Sequence, residues 1–339
     1  MDEINKLQSD AYNLLCDMVT NRCPSEFSDM TKNSKALRDM LYKLNGESYE
    51  LKFKDFRDPN HPVFQLVEKS IPVMVEEGLK GDEFFMNLVE YHNAALGDEV
   101  DFLVENRDVL IAADATYGTD GIRRQRLGGA DRVNIPTNFK IIKAYDEWKR
   151  FMAGRITLDE LTREVVKGMV ASVRNDIMTV FAGINQEQLG AKFYPTKGTY
   201  DEKKLLELIQ RVEAANAGAK VTIVGTKMAL SNVKMAETSN EAKANLYESG
   251  YYGRFYGTPM MYTPQRLKQG TDDFLLDDNK IYILVAGQKP IKVLNIGEGY
   301  LSYEGFPQQK ADHTHTVWYG QEFGVGLILS GKMGLYEVA

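Results

Sequence analysis

"TLDELTREVVKGMVASVRNDIMTVFAG", residues 157–183, places Leu158, Leu161, Val165, Met169, Val173, Ile177 and Phe181 at steps of three and four, the spacing that lays one apolar stripe along a helix. Thr157 followed by Glu160 forms a capping box, with the hydroxyl placed to accept from the Glu160 amide and the carboxylate to reach back. From there to Gly183 the helix runs for about 26 residues, or roughly 39 Å at 1.5 Å per residue. That length suits a spine against which other elements are laid.

Toward the N-terminus the pattern changes to strands. "EVDFLVE" at 99–105 alternates, "DVLIAADA" at 108–115 is a continuous apolar run, and "RVNIPTNFKIIKAY" at 132–145 alternates again. Between them, "YGTDGIRRQRLGGADRVNIP" at 117–136 carries Arg123, Arg124, Arg126 and Arg132 among Gly118, Gly121, Gly128 and Gly129. The simplest reading is a long two-stranded excursion with the arginines toward its distal part.

Those arginines stand in a chain of 339 residues whose net charge is -7 and whose pI is near 5.4. A protein whose main task is coating nucleic acid needs a cationic surplus that this chain lacks. A phosphate loop needs a helix N-terminus directly after the glycines, and "DRVNIP" reads as strand. A hairpin laid in a nucleic-acid groove needs aromatic side chains to stack on bases, and Tyr117 stands alone before Phe139. Contact with acidic surface on another copy of the same chain fits best.

The chain opens with amphipathic helical sequence at 3–20 and 34–44, broken at Cys23-Pro24-Ser25, too short for a core of its own and expected to pack on its own domain. A third helical pattern at 61–77 contains Pro72 as a kink or stop. Beyond the spine come a helix at 201–216, a strand at 220–225, strands at 280–287 and 291–297, and an apolar C-terminal run. Cys16 and Cys23 match neither a metal pair nor a disulfide framework and read as reduced thiols. No signal peptide and no apolar stretch long enough to cross a membrane is apparent.

Motifs that could carry chemistry are weak. Gly225-Thr226-Lys227 lacks the second glycine of a phosphate loop, so a strand-to-helix turn capped by Thr226 is expected. "NIGEGY" at 295–300 reads as a β-turn. "DHTHT" at 312–316 puts His313 and His315 on one strand face beside Asp312, but His61 and His92 are the only other histidines and no acidic partner has ligand spacing. The aspartates of "TDDFLLDDNK" at 271–280 lack the glycine and terminal glutamate of a calcium loop and read as a solvated hairpin. No catalytic residue, metal site or cofactor site is assigned.

The order of elements, together with "VTIVGTKMALSNV" at 221–233, "GYYGRFYGTPMMYTPQRLKQGT" at 250–271, "DNKIYILVAGQKPIKVLNIGEG" at 278–299 and "YGQEFGVGLILSGKMGLYEV" at 319–338, resembles the major capsid protein of tailed bacteriophages, the Hong Kong 97-type fold, over roughly residues 88–339. The resemblance implies an α+β fold with an N-terminal helical arm at 1–50 and a first part of the peripheral domain at 51–94. It implies an extended β-hairpin loop at 95–137, a peripheral domain with the spine helix at 138–188, an axial domain at 189–310, and a return to the peripheral domain at 311–339. The implied function is structural: hexamers and pentamers forming an icosahedral head shell around phage DNA, assembled in the bacterial host cytoplasm. The implied partners are other copies of the chain, scaffold, portal and decoration proteins, and packaged DNA held on the inner surface without sequence specificity. No membrane, cofactor or enzymatic activity is implied. Arg123, Arg124, Arg126 and Arg132 become inter-subunit contacts of the extended loop. An encapsulin-like compartment shell of similar fold and, from another class, an α/β nucleotide-binding enzyme are the alternatives.

Some members of that family join a loop lysine to a neighbour's asparagine, a reaction that needs a neutral amine as nucleophile. No lysine lies between Lys80 and Lys140, and arginine remains protonated. Denaturing electrophoresis of mature particles is therefore expected to give one band near 38 kDa; a ladder of multimers that survives boiling and reductant would contradict this.

Overall fold

The structure, a computed structural model, describes residues 2–20, 30–47, 61–81, 83–98, 100–104, 112, 114, 124–125, 131–147, 158–184, 193–235, 246–268, 270–304 and 314–338. Helices α1 (Asp2–Thr20), α2 (Met30–Leu44), α3 (Pro62–Lys80) and α4 (Glu83–Leu88) lead into β1 (Val89–Ala94). A hairpin of β2 (Asp101–Val104) and β3 (Asp131–Asn134) runs directly into β4 (Thr137–Glu147), and α5 (Leu158–Ala182) follows. The rest comprises β5 (Phe193–Gly198), α6 (Glu202–Ala215), β6 (Val221–Gly225), α7 (Lys227–Ser231), β7 (Arg254–Phe255), β8 (Thr258–Tyr262), β9 (Lys280–Val285), β10 (Ile291–Glu304), β11 (Thr314–Leu327) and β12 (Met333–Val338).

The expected spine is α5. Val165, Met169, Val173, Ile177 and Phe181 are all buried along it, and Thr157 lies outside the described residues. Helix α3 runs antecedent to it in the chain and packs against it: the Arg174 guanidinium donates to the Gly78 carbonyl at 2.6 Å. Pro72 does not stop α3, which continues to Lys80. Proline removes one donor from the ladder and crowds the carbonyl four residues back, a cost offset by Ile71, Met74, Val75 and Leu79 on either side, which are held in the core.

Two sheets share that core. The first has the order β1-β10-β11-β4 and the second β5-β12-β9-β6-β8-β7, while β2 and β3 pair only with each other. The inner face of the four-stranded sheet presents Val89, Ile291, Val293, Tyr319 and Phe323 to the cluster that contains α3 and α5. Ala11 and Leu15 of α1 and Leu37 and Leu44 of α2 belong to the same cluster. The N-terminal helices thus pack on their own chain, as their amphipathic pattern predicts. The six-stranded sheet is buried on both faces. Tyr282, Leu284 and Leu335 join the main core, whereas Ile281, Ile283 and Tyr336 pack with Leu205, Leu208, Ile209 and Val212 of α6 in a second. This two-sided burial explains why "KIYILV" in β9 is apolar without alternation.

The division into regions differs from the expectation in two strands. β10, placed within 189–310 by the resemblance, lies in the four-stranded sheet beside β1 and β11, and β12, placed with the peripheral part at 311–339, lies in the six-stranded sheet between β5 and β9. The cause is pairing: β9 needs a ladder on both edges, and β12 supplies one antiparallel while pairing parallel with β5. The expected turn at 295–300 is instead a bulge inside β10. Ile296 opposes Glu322 and Tyr300 opposes Gly320, so four steps on one strand face two on the other, with Gly297 at φ +69 absorbing the excess. The Leu301 amide beside it donates to the Glu68 carboxylate of α3 at 3.1 Å. The strand expected at 108–115 falls almost wholly outside the described residues.

Polar groups within the four-stranded sheet are joined in series. The Tyr319 hydroxyl donates to Gln321 at 2.7 Å, Gln321 to Asn295 at 2.7 Å, and Asn295 to Asn93 at 2.9 Å, crossing three strands with each buried donor matched. Burial pushes the Tyr319 phenol far above its ordinary range.

The sheets meet where the Phe181 ring lies 4.5 Å from Tyr282 and 5.5 Å from Phe84. Phe181→Ala is expected to destabilise the fold by about 3–5 kcal/mol, read as a lowered denaturant midpoint with an unchanged slope; a loss under about 1 kcal/mol would show that these rings do not join the two halves.

Candidate assembly surface

The hairpin and the outer face of the four-stranded sheet form one continuous region. Along β4, Lys140 points inward, donating to Ser172 at 3.0 Å and pairing with Asp176 at 2.6 Å on α5, so the odd-numbered residues face outward. On β11 the even-numbered residues do so. The base of the hairpin covers one end of this outer face. Ile135, buried between β3 and β4, presses on Gly324 and Gly326, where a Cβ would stand 3.2 Å and 2.9 Å from its side chain. With Phe102, Val104 and Ile328 it makes a small core separate from the main one.

Polar contacts add to this anchor. The Phe102 ring stands edge-on to His92 at 5.1 Å, and the Lys292 ammonium lies 6.0 Å from its centroid. Glu90 joins these two: His92 Nε2 is 2.6 Å from one carboxylate oxygen, and Lys292 donates to the other. Partial burial pushes the Glu90 carboxyl up, but the bonds from Lys292 and His92 outweigh it and hold the group below its ordinary value.

The other end of the outer face is open. Phe139, Ile141 and Tyr145 of β4 are 48%, 50% and 78% exposed, and Tyr300 of β10 is 46% exposed. The Phe139 ring lies over Gly320, where a Cβ would be 2.4 Å from it, and 6.4 Å from the Tyr300 ring. Glu298, at the bulge two residues before Tyr300, is exposed and has no ion-pair partner among the described residues.

Of the arginines assigned to contacts, Arg124 is exposed, Arg123 and Arg126 lie outside the described residues, and Arg132 extends from β3. Arg132 reaches its own hairpin's Asp101 at 3.7 Å while 74% exposed, a pair too solvated to hold the guanidinium firmly. The aromatic face was not singled out from sequence. Its signal was the adjacent Ile141-Ile142 in a strand otherwise read as alternating, which means both faces of β4 are apolar.

The remaining motifs are structural. Thr226 caps α7, accepting from the Ala229 amide at 3.2 Å and donating to Asp278 at 2.6 Å. The segment at 266–275 is a hairpin closed by a bridge between Leu267 and Phe274. His313 is outside the described residues, among which no cluster of three or more metal-ligating side chains occurs. Burial pushes the Cys16 thiol up to about 11, so at neutral pH it stays protonated. Among the described residues no helix is long and apolar enough to cross a membrane.

A spine helix behind a long-stranded sheet, a hairpin seated on one end of that sheet, and a second sheet sharing the core define the Hong Kong 97-type capsid subunit. The family model described as "SPbeta prophage-derived putative capsid protein YonB" matches residues 3–337, and the chain belongs to that family: it is a capsid protein of a phage shell. No curated protein sequence matches it. Among solved structures it is similar to the acid-stable capsid of Helicobacter pylori bacteriophage KHP30, with a TM-score of 0.50 at 8% identity over 76% of this chain and 91% of that one. It is also similar to the capsid of a native GTA particle, with a TM-score of 0.48 at 11% identity over 74% and 88% of the two chains. A virus-like particle from Pyrococcus furiosus gives 0.44 at 14% identity over 78% and 96%. Of these three only the first reaches one half, and at that identity it speaks to fold alone.

Glu90 has its carboxyl held low in the folded state, so its contribution is complete above the ordinary glutamate range and lost as pH falls through the depressed folded value. Amide exchange in β2 and β3 should therefore accelerate below about pH 4 relative to β10, and Glu90→Gln should remove that pH dependence; an unchanged profile in the variant would show that Glu90 does not secure the hairpin.

Proposed function

We propose that the chain is the major subunit of an icosahedral head shell, assembling head to tail into hexamers and pentamers that enclose phage DNA in the host cytoplasm. The observation that carries this reading is the half-covered outer face: the hairpin base closes one end of the four-stranded sheet, and the aromatic end has no cover among the described residues. A hairpin that projects from one subunit and an open face on the next are two different surfaces, the requirement for a ring closed by heterologous contacts. Self-association of this kind buries on the order of 2,000–5,000 Å². The half built on α3, α5 and the four-stranded sheet takes the peripheral role, and the half built on the six-stranded sheet takes the axial one. Scaffold, portal and decoration proteins would act on the assembled shell, and the role is structural rather than catalytic.

The purified chain is expected to give capsomers or shells by size exclusion and negative-stain microscopy. Replacing residues 105–130 by a two-residue Asn-Gly turn keeps β2 and β3 paired and should leave a folded, unassembled subunit. Shells of normal size from this trimmed chain would sink the reading.

A further inference from the structure

The bulge in β10 separates two stretches of one ladder. Inward of it the pairs with β11 run from Ile291↔Leu327 to Ile296↔Glu322, and outward of it from Tyr300↔Gly320 to Glu304↔Thr316. Gly297, Glu298 and Gly299 thus face Gln321 alone, and the outer stretch is offset from the inner one by two residues. Two is also the side-chain period of a strand. An offset of two leaves each side chain on its own face, and Val293 before the bulge and Leu301 beyond it both pack on the main core.

The two stretches are held unequally. The inner one pairs with β1 as well as β11, and the bonds joining Gln321, Asn295 and Asn93 cross it. β1 ends opposite Ile296, so beyond the bulge β10 pairs with β11 alone among the described residues. Two further ties hold the outer stretch: the Leu301 amide donates to Glu68 of α3 at 3.1 Å, and the Tyr300 ring lies 6.4 Å from Phe139. The bulge itself needs glycine twice. Gly297 sits at φ +69, and a Cβ on Gly299 would collide with the Tyr319 hydroxyl.

We infer that the bulge stores two residues of β10, and that the outer stretch has a second register in which they are drawn out and the strand advances by about 7 Å. In that register Gly299 stands opposite Tyr319, Ser302 opposite Thr316 and Glu304 opposite Thr314. The track is in place, since β11 continues to Thr314, which pairs with Glu147 of β4. Drawing out the bulge gives its unpaired residues ladder partners, which offsets part of what is lost elsewhere. Glu68 is the latch, because an advance of about 7 Å carries the Leu301 amide out of hydrogen-bond range. One carboxylate on α3 therefore selects between two lengths of the ribbon. The device belongs to the single subunit and does not depend on the assembly proposed above.

Cross-strand cysteines read the register. In the full-length chain with Cys16 and Cys23 replaced by Ser, Glu304→Cys with Thr316→Cys sets two thiols opposite each other in the bulged register, and Ser302→Cys with Thr316→Cys does so in the advanced one. A shift of two leaves position 316 the same kind of site in both, and a diagonal partner, at roughly 7–8 Å, is too far to bridge. Each pair is equilibrated in a glutathione buffer, alone and with Glu68→Ala, Glu68→Gln or Gly297→Ala, and the bridged fraction is read by mass spectrometry of the digest. Circular dichroism melts check that each chain is folded. Alone, the 304/316 pair should predominate. Glu68→Ala and Gly297→Ala should each raise the 302/316 pair relative to it by about fivefold or more. Glu68→Gln keeps an acceptor oxygen and should hold the unaltered ratio. The two alanine variants lie on different elements, so either one decides if the other does not fold. A 304/316 pair that weakens without a rise at 302/316 would mean a frayed end and overturn the second register, as would a ratio unmoved in a folded alanine variant.

Discussion

A sheet that carries apolar side chains on both faces has two faces to cover, and in this subunit that demand falls on a sheet built around two strands of 14 residues each, β10 and β11. Their inner face is met by α3 and α5, whose apolar stripes can lie along a long ribbon because the helices themselves are long. α1 and α2 then cover α3 in turn. Among the described residues no helix packs on the outer face. Its only cover among the described residues is the hairpin base, where Ile135 fits against glycines that leave room for nothing larger. The rest of the fold follows from that asymmetry: one face is completed within the chain and the other keeps exposed aromatic side chains among the described residues.

What the sequence made legible was what local spacing encodes. The five apolar positions of α5 from Val165 to Phe181, the alternation of β2 and β4, and the Thr226 cap each depend on residues within a few positions of one another. The bulge at Gly297 and the placement of β12 were not legible in that way. Whether "NIGEGY" turns back or bends onward depends on β11, some twenty residues later, continuing to pair beyond it. Likewise nothing in "MGLYEV" says which sheet has an edge for it to fill. The site divides along the same line. Arginines between glycines stand out as charge in an acidic chain, whereas Phe139, Ile141, Tyr145 and Tyr300 form a surface only once β4, β11 and β10 are aligned in register.

Register is therefore the quantity on which the exposed aromatic face depends, and the inner face fixes it. A one-residue slip of β11 against β10 would turn every apolar side chain outward. It would also break the chain of bonds from Tyr319 through Gln321 and Asn295 to Asn93, leaving buried polar groups unmatched at a cost of about 1–3 kcal/mol each. The polar series adds little net stability when intact. Its effect is on alternatives, since no shifted pairing satisfies it.

The hairpin base stands apart from this arrangement in one respect. Phe102, Val104, Ile135 and Ile328 form a cluster that is not continuous with the main core, so the hairpin is attached by few buried contacts while the sheet beneath it is anchored by many. Local stability follows contact density. Loss of that small cluster and of the Glu90 contacts would therefore release the hairpin base without disturbing α3, α5 or the register of β10 and β11. A subunit that meets neighbours at more than one angle, as closure of a curved shell demands, needs its rigid parts and its adjustable part to be separate cores, and the two clusters are separate here.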